Sequence, residues 1–153
     1  MSLHALRNVR LARLPSATAA SSAAISRRTA AASFSSHATL RQIWADASEK
    51  DVQSRLDTAH PAADKLFLID FSATWCPPCK MLSPILESVV NRKGSEADLL
   101  VVDVDKEPGL ASMFKVRAMP TVVAVRGGKE VSRFVGAQGD PQVVQFIQDA
   151  SSK

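Results

Sequence analysis

From Leu40 onward, short apolar runs alternate with amphipathic stretches, which is the rhythm of strands alternating with helices. Arg41 to Trp44 reads as a weak strand. Asp46 or Ser48 is placed to cap a helix that carries Val52 and Leu56 and runs to about Ala59, after which His60 to Asp64 make a turn. Leu66, Phe67, Leu68, Ile69, Asp70 and Phe71 form a nearly continuous apolar run, as a strand covered on both faces requires. After Pro78, the residues Met81, Leu82, Ile85, Leu86, Val89 and Val90 recur at helical offsets and give one apolar stripe, with Pro84 inside the helix and Asn91 to Gly94 closing it. Leu99 to Val104 is a second buried strand, and Glu107 to Phe114 a short helix opened by Pro108. Thr121 to Val125 and Val131 to Val135 are strands joined by a hairpin turn at Gly127-Gly128, and a last helix runs from about Asp140 to Ala150. The order β-α-β-α-β-α-β-β-α predicts an α/β fold, a mixed five-stranded sheet with helices on both faces.

The first 40 residues break this rhythm. Twenty-two of them are Ala, Ser or Thr, too few large apolar side chains to build a core. Charge is segregated in the same way. Residues 1–45 carry six arginines and no acid, whereas residues 46–153 carry 13 Lys or Arg against all 15 Asp or Glu. The net charge of +4 is therefore a +6 segment attached to a −2 body, and the excess does not mark a nucleic-acid-binding surface on the folded part. An Arg-rich, Ser-rich, acid-free N-terminus reads as an organelle transit peptide, with a disordered basic arm as the plainer alternative. The stretch from Ala17 to Ile25 is too rich in Ser and Thr to be the apolar region of a secretory signal. The expected organisation is a transit peptide over 1–38 and a domain over 39–153, with delivery to the mitochondrial matrix and the plastid as the alternative. No run approaches 18 consecutive apolar residues, so no membrane-spanning helix is expected.

The chain has two cysteines, Cys76 and Cys79, separated by Pro77 and Pro78 and placed between an apolar strand and the following helix. A helix N-terminus supplies unpaired N–H groups and positive potential, both of which favour a thiolate over a thiol. The attacking sulfur is therefore expected on Cys76, with Cys79, one turn on, as the resolving thiol. Pro78 has no N–H, so the donors left for the sulfur are those of Cys79 and Lys80. A structural disulfide would close too short a loop to stabilise much. A zinc site needs about four ligands, and His4, His37 and His60 are not placed to complete one, so no metal is expected. A redox-active dithiol beside a βαβ pattern remains.

Phe71, Ala73, Trp75, Cys76, Pro78, Cys79, Lys80 and Pro84, followed by Met119-Pro120-Thr121 and Gly136-Ala137, make the segment from about Thr39 to Lys153 resemble the thioredoxin family. The resemblance implies the thioredoxin fold and a protein-disulfide reductase that acts as an electron carrier. It implies a cis peptide bond at Met119-Pro120, beside the cysteines, and a substrate-binding surface made by Trp75, Pro77, Pro78, Met119, Pro120 and Gly136. Asp70 matches the family's buried acid, which accepts the proton of Cys79 in the resolving step. The plainer reading of Asp70 is a carboxylate at a strand end that meets solvent. The expected partners are a thioredoxin reductase, which delivers electrons from NADPH, and disulfide-containing proteins such as peroxiredoxins. The resemblance carries no bound cofactor, and a monomer is expected.

Three positions depart from the family pattern. Pro77 stands for the usual glycine, Ser72 for a frequent tryptophan, and Val101 for a frequent lysine near the buried acid. They bear on reduction potential and partner choice. Two other functions stay open at this level: a tryparedoxin-like or other CPPC reductase, and a non-catalytic binding module on the same fold.

Overall fold

The computed structural model describes residues 41–153, and the basic N-terminal segment with its expected boundary at residue 38 lies outside the described residues. Nine elements follow in order: β1 (Ile43–Trp44), α1 (Glu49–Leu56), β2 (Leu66–Ser72), α2 (Pro77–Val90), β3 (Ala97–Asp103), α3 (Pro108–Met113), β4 (Thr121–Arg126), β5 (Lys129–Val135) and α4 (Asp140–Ser151). The sheet order is β1-β3-β2-β4-β5. The first three strands run parallel, while β4 is antiparallel to β2 and to β5. This is the mixed five-stranded sheet that the apolar rhythm predicts.

Side chains alternate across β2, and each face meets its own pair of helices. Leu66 and Leu68 pack with Leu82, Leu86 and Val90 of α2 and with Val143 and Ile147 of α4. Phe67, Ile69 and Phe71 pack on the opposite face with Val52 of α1 and Leu110 of α3. A strand so covered must be apolar at nearly every position, which accounts for the run from Leu66 to Phe71. Asp70 lies on the α2 side of this strand.

Several boundaries differ from the sequence-based expectation, each for a local reason. Ser48, not Asp46, caps α1, in a capping box with Asp51. The helix stops at Leu56 and does not reach Ala59, because Asp57 leaves helical geometry and its carboxylate takes the N–H of Ala59 at 2.9 Å. β1 is two residues long, not four. β3 starts two residues early, at Ala97 and Asp98, because the acid is neutralised inside the sheet. Its carboxylate binds Lys65 Nζ at 2.6 Å and accepts the N–H of Gln42 at 3.1 Å. An aspartate reads as a strand breaker from sequence alone. β3 stops at Asp103, not Val104, because Asp103 begins a turn, with its side chain accepting from Asp105 N–H at 3.0 Å. β5 begins at Lys129, directly after the Gly127-Gly128 turn, where both glycines have positive φ of 57° and 71°. The run read as ending at Phe71 continues to Ser72, so Asp70 sits within β2 and not at its solvent end.

Candidate functional site

The site forms where β2 ends and α2 begins. Cys76 is the N-cap of α2, with extended backbone, and Pro77 and Pro78 occupy the first helical turn, where a missing N–H costs nothing. The cap places the Cys79 N–H 3.4 Å from Cys76 Sγ. Lys80 does not point its N–H at the sulfur as expected; it donates to the Cys76 carbonyl at 3.3 Å, the first regular helical bond. The cysteines are joined as a disulfide with an S–S distance of 2.09 Å. Both are buried, Cys76 at 3% exposure and Cys79 at 1%. They pack with Ala73, Val104 and Met119.

The residues grouped with them by the resemblance converge on one end of the sheet. The Met119-Pro120 peptide is cis, and Met119 touches the cysteine cluster. Gly136 donates its N–H to the Pro120 carbonyl at 2.8 Å, which ties the loop after β5 to the loop before β4. Its φ of 93° is one that a side chain would strain. Trp75 is 62% exposed, so its ring belongs to the surface and not to the core. Pro77 is exposed and Pro78 half-buried. Trp44 lies away from this surface, under the guanidinium of Arg55 at 4.7 Å.

Asp70 is fully buried, which removes the reading of a strand-end carboxylate in solvent. Its cross-strand partners are Val101 of β3 and Val122 of β4. Neither carboxyl oxygen has a hydrogen-bond partner in the described structure. Burial without compensation penalises the charged form, and it raises the carboxyl from 3.8 to about 7. The Ser83 hydroxyl acts in the opposite direction and is outweighed by burial; its own hydrogen is given to the Cys79 carbonyl at 3.0 Å. With Val101 in place of a lysine, no cation stands opposite the acid in the β3 register.

Two participants were not read from the sequence. Asp105 accepts the Trp75 indole N–H at 2.8 Å and fixes the exposed ring. Nothing in the spacing of residues 75 and 105 announces this, because the contact depends on the turn after β3. Ser83 is the second. Its separation of four from Cys79 was a usable signal, since it puts both side chains on one face of the helix.

The family profile described as Thioredoxin matches residues 46–149. Among curated proteins, the chain is 46% identical to thioredoxin H2-2 of Oryza sativa subsp. japonica over 92 residues, covering 58% of this chain and 68% of that protein. It is 44% identical to thioredoxin-2 of Saccharomyces cerevisiae over 84 residues, covering 55% of this chain and 80% of the relative. The thioredoxin of Malassezia sympodialis superposes with a TM-score of 0.61 at 31% identity, covering 72% of this chain and 90% of the other. A thioredoxin fold with a paired CxxC at the head of α2 defines a thiol–disulfide oxidoreductase. The chain belongs to the thioredoxin family.

Proposed function

We propose that this protein reduces the disulfides of other proteins by cycling the Cys76–Cys79 pair between dithiol and disulfide. The observation that carries the reading is the buried cysteine pair at the N-terminus of α2, with Met119 against it and Asp70 on the adjoining strand. In the first step the Cys76 thiolate attacks a substrate sulfur and displaces the other as a thiolate. Cys76 qualifies because its sulfur faces the Cys79 N–H at the helix head, where negative charge is favoured. In the second step Cys79 gives its proton to the Asp70 carboxylate and attacks Cys76. The Cys76–Cys79 bond forms, the bond to substrate breaks, and its electron pair leaves with the substrate sulfur. An acid titrating near 7 is matched to a proton transfer at neutral pH. The substrate segment lies over Trp75, Pro77, Pro78, Met119, Pro120 and Gly136, where the loop backbone at Met119 is available to an extended chain.

Electrons return from NADPH through a thioredoxin reductase. A relative that unites both functions supports this pairing: the chain is 38% identical over 88 residues to the bifunctional thioredoxin reductase/thioredoxin of Mycobacterium leprae, of which those residues cover 19%. Peroxiredoxins are the proposed targets, the protein acts as a monomer, and the acid-free N-terminal segment directs it to the mitochondrial matrix. Insulin reduction with NADPH, measured with and without thioredoxin reductase, tests the activity. Turnover that requires the reductase is the expected result. Reductase-independent turnover would favour a tryparedoxin-like relative, and none at all a binding module. For the compartment, residues 1–40 fused to a reporter should deliver it to mitochondria; a cytosolic or secreted reporter refutes import, and a plastid signal moves the compartment.

A further inference from the structure

An open cavity of about 340 Å³ lies beside the first turns of α2, on the α2 side of the sheet. Ser72 of β2, Val101 of β3, and Lys80 and Ser83 of α2 line it. Asp70 lies two residues before Ser72 on the same strand, and Val101 is its registered neighbour. Alternation along a strand and in-register pairing put all three side chains on one face, so the cavity opens on the two residues that flank the buried carboxyl in the sheet. Ser83 stands at the junction. The residue is half-buried, its hydroxyl donates to the Cys79 carbonyl at 3.0 Å, and it lines the cavity together with Ser72 and Val101, the residues that flank Asp70; its influence on Asp70 favours the charged form. A serine hydroxyl rotates, so the hydrogen held by the Cys79 carbonyl can be turned to a carboxylate without moving the oxygen.

We propose that Ser83 is a positioning residue for the proton step: its hydroxyl hydrogen-bonds the Asp70 carboxylate and links it to water in the cavity. The inference rests on the dithiol reading above. When Cys79 transfers its proton, Asp70 becomes a neutral acid with no route to solvent through the packed sheet. Ser83 accepts that proton on its oxygen as it passes its own to a cavity water, so the acid is restored to carboxylate and the hydroxyl is regenerated. No oxidant or further reactant enters this exchange. The ionisable groups lining the cavity are Asp46, Lys80, Asp103 and Lys106. Lys106 and Asp46 bind each other at 2.8 Å, and the buried position of Asp70 leaves the Ser83 hydroxyl as its polar neighbour.

The test compares wild type with Ser83→Ala, which removes the hydroxyl from a helix that tolerates alanine well, and with Ser83→Thr, which keeps it. Two readouts are used: the Asp70 carboxyl titration followed by NMR in the oxidised protein, and the pH profile of single-turnover insulin reduction. Losing a hydrogen bond to a charged group moves the Asp70 titration and the acid limb of the profile up by about one pH unit. At pH 7 the carboxylate fraction then falls from one half to one in eleven, so Ser83→Ala reduces insulin about five-fold more slowly at pH 7 and within about 10% of wild type at pH 9. Ser83→Thr restores both. An Asp70 titration unchanged in Ser83→Ala overturns the inference, whatever the activity. Inactive wild type with a shifted titration instead overturns the reductase reading and leaves the Ser83–Asp70 link standing.

Discussion

Replacing Asp70 by asparagine isolates the energetic consequence of burying an acid with no partner. The unfolded chain loses this proton near 3.8 and the folded protein near 7. Between those values the folded state holds a proton that the unfolded chain has released, so stability falls as pH rises through the window and levels off above 7. Three decades of proton affinity amount to about 4 kcal/mol once the acid is fully ionised. Integrating the two titrations over an accessible range, about 2–3 kcal/mol of this develops between pH 5 and pH 8.5. Asp70→Asn removes the titration. Its amide adds hydrogen-bonding groups of its own, but that contribution is the same at every pH and drops out of the difference between the curves. The assay is urea unfolding of both oxidised proteins at half-unit steps from pH 5 to 8.5. The disulfide keeps the cysteines from titrating, and every other ionisable group is common to both chains. The expected result is a gain of stability by the variant over wild type that grows by about 2–3 kcal/mol across the range, together with slower release of reduced substrate. A difference curve flat to within about 0.5 kcal/mol would mean that water reaches the carboxyl and that burial does not set its affinity.

Other substitutions test separate parts of the structure. Cys79→Ser should accumulate a mixed disulfide with substrate, detectable on non-reducing gels, while Cys76→Ser traps little; equal trapping would reverse the two roles. Pro77→Gly loosens an exposed first-turn position that no donor depends on, so urea melts should give a loss of roughly 0.4–1 kcal/mol and coupled turnover a change under about ten-fold. An alanine at Gly128 would place its Cβ 2.3 Å from the Leu56 carbonyl oxygen at a φ of +71°, whereas one at Gly127 meets nothing within 4 Å. Gly127→Ala should therefore cost only the left-handed backbone penalty, about 1–2 kcal/mol, and Gly128→Ala clearly more in the same melts.

What could be read from the chain follows from how each feature is encoded. Elements buried by repetition were legible: the apolar run of β2, the stripe of α2 and the Gly127-Gly128 turn each carry a local pattern that the fold reproduces. Elements that depend on a distant partner were not. Asp98 looks like a loop residue until Lys65 and the Gln42 amide come to it across the sheet. The site divides in the same way. The cysteines and the Met119-Pro120 loop are compact motifs, whereas Asp105 meets Trp75 across 30 residues of sequence. Asp70 is intermediate, since its position in an apolar strand was evident but its complete isolation from solvent required the helix above it.

The placement of β2 also governs how the protein breathes. This strand is hydrogen-bonded along its whole length to β3 and from Phe67 to Phe71 to β4, with helices above and below. Its central amides can exchange with deuterium only when the domain opens globally, while those of the two-residue β1 at the sheet's margin open locally. The cysteine pair, at the head of α2, thus follows directly on the strand expected to exchange most slowly.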